Sequence, residues 1–322
     1  MNLNKISKPI KNEIEEFQKI FAGTLKSNVA LVDLITKYVL KQKGKKIRPI
    51  LVLLSAKLCG KISSRSFVAA TLVELLHTAT LIHDDVVDEA KMRRGLPSIN
   101  AVWKNKAAVL IGDFFLSKGL LVSLDNDEFE FLKTTSEAVR RMSEGELLQI
   151  QKARNFDATE ETYFRVISDK TASLIKTCCK LGALSSTNDK VKIEKMSAFG
   201  ENIGIAFQLR DDLLDYTGRK KLLGKATGND LKEKKFTLPL LVALRNAPAK
   251  KSKEIMKLIK SDSSKKFDTV YYFVEEFGGI NYTIDKISHY ANLALDSLSH
   301  FADSEPKESL MELVSFVTTR EY

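Results

Sequence analysis

The chain is poor in the residues that break helices or staple small folds. Proline occurs 6 times and cysteine 3 times in 322 residues, and no Asn-Gly or Asp-Gly dipeptide marks a two-residue hairpin turn. The cysteines are Cys59 and the adjacent pair Cys178-Cys179. That spacing fits neither a zinc site nor a disulfide framework, so a reducing cytoplasm is the expected setting. Uninterrupted membrane-length runs are also missing. Asp113 and Lys118 break residues 107–124, Glu74 and His77 break residues 66–82, and both segments read as buried helices. Residues 1–21 are a mixed-charge amphipathic stretch without the apolar centre of a signal peptide. No Pro/Gly/Ser-rich linker divides the chain, which reads as one domain over residues 1–322.

What remains is a helix-forming sequence with ample core material, 44% of its residues being hydrophobic. Phe199, Ile203, Phe207 and Leu214 recur on one stripe at helical spacing, and segments 66–92, 106–124 and 128–154 contain no proline. The fold class is therefore all-α, a single large helical domain. Short polar breaks separate the helices, among them Arg94-Gly95-Leu96-Pro97. The longest irregular stretch, 216–237, carries Gly218, Gly224 and Gly228 among lysines.

Basic residues outnumber acidic ones by 51 to 41, for a formal net charge of +10. They are dispersed, and the aromatic interleaving of a single-strand-binding protein is absent, so nucleic acid is not the expected partner. Several stand beside two acidic clusters of one form: Asp84-Asp85-Val86-Val87-Asp88 and Asp211-Asp212-Leu213-Leu214-Asp215. On a helix the first and last aspartates of each cluster lie one turn apart, where like charges destabilise the helix unless a cation neutralises them. Apolar neighbours surround both clusters, Leu81, Ile82, Val86 and Val87 in one and Phe207, Leu209, Leu213 and Leu214 in the other. A merely solvated charge run is not usually set in such surroundings. Mg²⁺ is commonly held by one or two carboxylates together with substrate phosphates, so two such clusters suit the clamping of a diphosphate through bridging metals.

These motifs form part of a longer ordered set. Gly44-Lys45-Lys46-Ile47-Arg48-Pro49 is followed by His77, by His83 before the first cluster, and by Arg93-Arg94-Gly95 after it. Asp169-Lys170-Thr171-Ala172, Phe207-Gln208-Leu209-Arg210 before the second cluster, Gly224-Lys225 and Lys235-Phe236-Thr237-Leu238-Pro239 complete the set. In order and spacing it resembles the trans-isoprenyl diphosphate synthases over residues 40–240. His77-Thr78-Ala79-Thr80-Leu81-Ile82-His83, Glu144-Gly145-Glu146-Leu147-Leu148-Gln149 and the ending Thr319-Arg320-Glu321-Tyr322 are most similar to the long-chain octaprenyl and heptaprenyl members that make quinone side chains.

The resemblance implies helices around a central cavity with the two clusters on opposite walls, usually in a homodimer. It implies three Mg²⁺ ions, replaceable by Mn²⁺, held by Asp84, Asp88 and Asp211 with Asp85, Asp212 and Asp215 nearby. The implied substrates are isopentenyl diphosphate and an allylic primer, farnesyl or geranylgeranyl diphosphate. Lys45, Arg48, His77 and Arg94 match positions that hold isopentenyl diphosphate; Arg93, Lys170, Lys225 and Lys235 match those on the allylic diphosphate. Thr171 and Gln208 match residues whose oxygens face the developing cation. No stable membrane insertion is implied, only transient contact for product release. His83 reads as structural or as a support behind the residues that touch substrate, and Lys46, Lys220, Lys221 and Lys234 as solvated. Lys43 and Lys234 stand where the family usually has glycine.

Product length is expected to be set below the first cluster. Ala79 lies about 7.5 Å from Asp84 along a helix rising about 1.5 Å per residue, with Thr80 beside it; both are small, and the resemblance then implies a product of about six to eight isoprene units. Phe114, Phe115 and Met142 are candidates for a deeper floor. Other readings are a shorter-chain geranylgeranyl or farnesyl synthase, a noncatalytic subunit of a heteromeric synthase, and a terpene cyclase. The complete aspartate clusters argue against the subunit, and the Gly-Lys-x-x-Arg-Pro segment against the cyclase.

Overall fold

The computed structural model describes residues 3–42, 44–155, 157–217, 235–261 and 266–319. Among these residues the structure is all-helical apart from one minimal hairpin. Two compact units can be distinguished: residues 1–137, 177–197 and 300–310 form the first, and residues 138–176, 198–299 and 311–322 the second. Each is described by itself.

The first unit contains α1 (Leu3–Ile6), α2 (Lys11–Thr24), α3 (Ala30–Lys41), α4 (Ile47–Cys59), α5 (Ser64–Val87) and α6 (Ile99–Leu124). Helix α4 is buried almost throughout, from Pro49 to Ala56. At the start of α5, Ser63 and Ser66 form a reciprocal capping box that satisfies otherwise orphaned amide donors. Helices α5 and α6 run antiparallel in close contact. A Cβ added to Gly119 would lie 3.5 Å from a Leu72 methyl, and one added to Gly112 would collide with the His83 ring. The sequence expectation of a helix over 106–124 is met because α6 is broken at Lys104, whose φ of 72° lies in the left-handed region.

Between α5 and α6, β1 (Met92–Arg93) pairs antiparallel with β2 (Leu96–Pro97) across Arg94-Gly95. Both turn residues have positive φ, 50° and 80°, the requirement of a tight I′-type turn. The hairpin went unseen in the sequence because Arg takes the position where Asn or Asp is the usual signal.

Helices α5 and α6 are both long and apolar enough to cross a membrane by length and composition, but they differ in burial. In α5, 67% of the most apolar window is buried; in α6 only 33% is. The reading of 107–124 as a buried helix therefore holds for one face only. Val109, Leu110, Leu120, Leu121 and Leu124 are exposed and fall on a single face at 100° per residue.

Helix α7 (Phe129–Asn155) contributes its first part to the first unit and residues 138–155 to the second. The second unit continues with α8 (Glu160–Ile167), a π-helical turn (Ser168–Ala172) and the start of α9 (Ser173–Leu184). The later part of α10 (Lys190–Thr217) follows, then α11 (Leu238–Asn246), α12 (Ala249–Lys260), α13 (Lys266–Glu276), α14 (Gly279–Leu298) and the end of α15 (Glu305–Thr319). Its core around α10 is Tyr163, Ile167, Ala172, Ile205, Leu209 and Leu213 with Leu238, Val242 and Ile287. Of the stripe expected from sequence, Phe199 and Ile203 are buried, whereas Phe207 and Leu214 are half-buried because Leu209 and Leu213 take the inward positions.

Candidate active site

The first aspartate cluster ends α5. Asp84 and Asp88 are exposed, and Asp85 is only 4% exposed. Of the expected apolar neighbours, Ile82 is buried but Val87 is 70% exposed. Asp85 is matched by the hairpin: Arg93 Nε donates to its Oδ1 at 2.8 Å and Arg93 Nη2 donates to the same oxygen. Asn100 Nδ2 donates to the Asp85 carbonyl at 3.0 Å, tying the start of α6 to the end of α5. The hydrogen bond to Asp85 raises the Arg93 pKa further. Asp85 therefore acts within the protein, as the anchor of Arg93, while its two neighbours in the cluster face outward.

A second polar feature lies further back along α5. Arg48 Nη1 is 2.7 Å from His77 Nε2. Guanidinium can only donate, so Nε2 accepts and the imidazole is neutral, its proton on Nδ1. Burial, reinforced by Arg48, Arg94 and Arg93, holds the His77 pKa well below its ordinary value. Glu74 stands one turn away; burial raises its pKa, opposed by Arg48, Arg94 and Lys46. A cavity is lined by Gly44, Lys46, Glu74, Asp85, Arg93 and Arg94. Lys46 is thus not the solvated residue expected: it is half-buried with a left-handed backbone, and burial lowers its pKa. Lys45 is exposed. Any side chain at Gly44 would displace the Arg94 guanidinium. Arg48 Nε is buried without a hydrogen-bond partner, a donor suited to an incoming anion. Glu74 was missed as a functional residue; its only sequence signal is a carboxylate in an otherwise apolar helix.

Below the first cluster, Ala79 is buried, and the half-buried Thr80 donates its hydroxyl to the His77 carbonyl at 2.9 Å. Phe115 is fully buried and shares a face of α6 with Gly112 and Gly119, which meet α5 at His83 and at Leu72 and Leu75. It therefore stands beside Ala79 rather than deeper. Phe114 and Met142 are half-buried. His83 packs over Gly112, with Nε2 3.3 Å from the Val109 carbonyl, as expected of a structural residue.

In the second unit Asp211 is exposed, Asp215 half-buried and Asp212 only 5% exposed. Gln208 Nε2 donates to Asp212 Oδ1 at 2.7 Å, and the Tyr163 hydroxyl donates to Oδ2 at 2.6 Å. Thr171 Oγ1 donates to Gln208 Oε1 at 2.8 Å. Lys170 pairs with Glu146 and lies 3.3 Å from Gln149 Oε1. The π-turn at Ser168–Ala172, a local irregularity common at functional sites, carries both Lys170 and Thr171. It is tied down by Arg141, whose Nε donates to Asp169 at 2.7 Å. Tyr163, Lys170, Thr171, Gln208, Asp212, Lys235 and Thr237 line one cavity of about 110 Å³. Tyr163 was missed by sequence reasoning. Lys225, Lys220, Lys221, Lys234 and Lys43 lie outside the described residues.

Among the described residues, no three Asp, Glu, His or Cys side chains form a ready-made metal cage. Exposed carboxylates one turn apart fit instead a hydrated hard cation shared with substrate phosphate.

Comparison with known proteins shows the family. The polyprenyl synthetase pattern matches residues 29–276, and the chain belongs to that family. It is a prenyltransferase, a trans-prenyl diphosphate synthase of the medium- to long-chain type. It is 34% identical over 313 residues to the all-trans-nonaprenyl-diphosphate synthase (geranyl-diphosphate specific) of Rhodobacter capsulatus, covering 97% of this chain and 96% of that one. It is 33% identical to octaprenyl diphosphate synthase of Escherichia coli over 322 residues, 100% of both chains. Among solved structures, the Caulobacter crescentus polyprenyl synthase complexed with calcium and isoprenyl diphosphate superposes with a TM-score of 0.91 at 29% identity, covering 100% of this chain and 98% of that one.

Proposed function

We propose that the chain is a cytoplasmic, Mg²⁺-dependent enzyme that condenses isopentenyl diphosphate with an allylic diphosphate, farnesyl or geranylgeranyl diphosphate. The product is an all-trans chain of about six to eight isoprene units for a quinone side chain, with Ala79 and Thr80, about 6–8 Å below Asp84 on α5, bordering its path. The observation that carries this reading is that the first unit holds two different provisions for anions, one at the end of α5 and one further back along it. Exposed Asp84 and Asp88 suit a metal-bound diphosphate; two turns back on α5, His77, paired with Arg48 of α4, suits together with Arg94 of the hairpin a diphosphate held without metal. A single-substrate cyclase has use for only the first.

Asp84, Asp88 and Asp211 are the residues assigned to hold Mg²⁺, with Asp85, Asp212 and Asp215 in support. Bound there, Mg²⁺ supplies the charge neutralisation that lets the carbon–oxygen bond of the allylic diphosphate break. Arg93, Lys170, Lys225 and Lys235 bind the allylic diphosphate; Lys45, Arg48, His77 and Arg94 orient isopentenyl diphosphate for attack by its double bond. Thr171 and Gln208 present oxygen to the developing cation, a preorganised electrostatic role. The proton lost after condensation goes to the departing diphosphate, so no side-chain nucleophile is required. The exposed apolar face of α6 supports a homodimer.

The test is to incubate the purified protein with Mg²⁺, labelled isopentenyl diphosphate and a series of allylic primers, and to separate the dephosphorylated products by length. Absence of elongation with every primer would overturn the reading. Ala79→Tyr is expected to shorten the product by several units while ionisation continues; unchanged length would remove Ala79 from the product's path.

A further inference from the structure

The three hydrogen bonds that link Thr171, Gln208, Asp212 and Tyr163 have a direction as well as a position. A carboxylate only accepts, so the Gln208 amide must turn its nitrogen toward Asp212 Oδ1, at 2.7 Å, and its oxygen toward Thr171. The Gln208 oxygen can only accept as well. The single Thr171 proton is therefore committed to it across 2.8 Å. What Thr171 presents to the cavity is then its oxygen lone pairs. If Asp212 moved away, the amide could rotate by 180° and the Thr171 hydroxyl could point its proton into the cavity, reversing the dipole that a developing positive charge would meet.

The far end of this array is Tyr163 on α8. It is 6% exposed, lines the same cavity, and donates to Asp212 Oδ2 at 2.6 Å. A carboxylate this buried is costly to hold in place without donors.

We propose that Tyr163 is a positioning residue: by holding Asp212 it fixes the direction of the Asp212–Gln208–Thr171 array and keeps the Thr171 oxygen, not its proton, turned toward the reacting centre. This rests on the reading of the cavity as the place where an allylic diphosphate ionises. The role is transmitted wholly through Thr171, which distinguishes it from general support of the fold.

The test is a double-mutant cycle in the full-length enzyme with Tyr163→Phe and Thr171→Val. Tyr163→Phe alone is expected to lower kcat about tenfold, with both substrate KM values and the Mg²⁺ requirement within about twofold of the original. In the Thr171→Val background the same substitution should cost less than about twofold, because no hydroxyl remains to be oriented. Equal losses in the two backgrounds, a rise in the allylic KM matching the fall in kcat, or a raised Mg²⁺ requirement would overturn the proposal. Tyr163→Leu, which also removes the donor to Asp212, carries the same cycle if Tyr163→Phe fails to accumulate as folded protein. Prenyl transfer by the unmodified enzyme in the same assay separates failure of this inference from failure of the functional reading.

Discussion

In the first aspartate cluster the buried member, Asp85, meets the full positive charge of Arg93; in the second, the partners of Asp212 include two neutral donors, the Tyr163 hydroxyl and the Gln208 amide. The outer aspartates Asp84, Asp88 and Asp211 are exposed in both. The same five-residue pattern thus serves two purposes at its second position. An ion pair fixes where a charge sits and is indifferent to the direction of a proton. A run of neutral hydrogen bonds has a direction and can pass it on. In the proposed mechanism the first cluster stations a cation for an anionic substrate, and the second orients a dipole.

Breaking what the clusters share should have the largest effect. Asp84→Ala and Asp211→Ala are each expected to lower turnover by about 10²-fold or more, with an unchanged circular dichroism spectrum. Near-normal turnover in both would remove the exposed aspartates from the chemistry. Next, Lys45→Ala and Arg48→Ala should raise the isopentenyl diphosphate KM about tenfold while leaving that of the allylic primer within about twofold, as follows from their proposed assignment to the first substrate alone. An equal rise for both substrates would mean that the division between the two anion sites is wrong.

The contrast between the buried aspartates should also appear in stability. Asp85→Asn strands Arg93 against a neutral partner and is expected to cost about 2 kcal/mol in urea denaturation. Tyr163→Phe removes one neutral hydrogen bond and should cost about 1 kcal/mol. Equal costs would erase the distinction. The smallest effect concerns pH. Folded His77 stays neutral where the unfolded residue, near its ordinary value of 6.5, takes up a proton, so the stability it contributes is present above about pH 6.5 and is lost as the pH falls. His77→Gln should therefore lose less melting temperature than the original between about pH 7.5 and about pH 5.5. An identical loss would show that His77 is not the group responsible.

Helical class and both aspartate clusters were legible in the sequence because each rests on a local, periodic signal: scarce proline, apolar residues at helical spacing, and carboxylates one turn apart. What escaped notice depends on departures from that period or on partners distant in sequence. Tyr163 reaches Asp212 from another helix, and nothing around it in the chain announces the contact. The π-turn at Ser168–Ala172 interrupts the α-period that sequence patterns assume. Lys46 looked like one more surface lysine, but its left-handed backbone belongs to the wall of a cavity. The hairpin was hidden because Arg94 adopts a conformation that the sequence assigns to Asn, Asp or Gly.

Helix α5 runs unbroken from Ser64 to Val87 and is drawn tightly against α6 at Gly112 and Gly119. If the product grows along it as proposed, α5 is a graduated ruler whose zero mark is Asp84. Ala79, Leu75 and Leu72 fall on one stripe, and each step of three or four residues moves a side chain about 4.5–6 Å further from the zero mark. A helix fixed in this way converts sequence position into depth, so a bulky side chain moved from Ala79 back to Leu75 carries its obstruction one graduation deeper. Product length would then be written in the sequence of a single helix and counted in its turns.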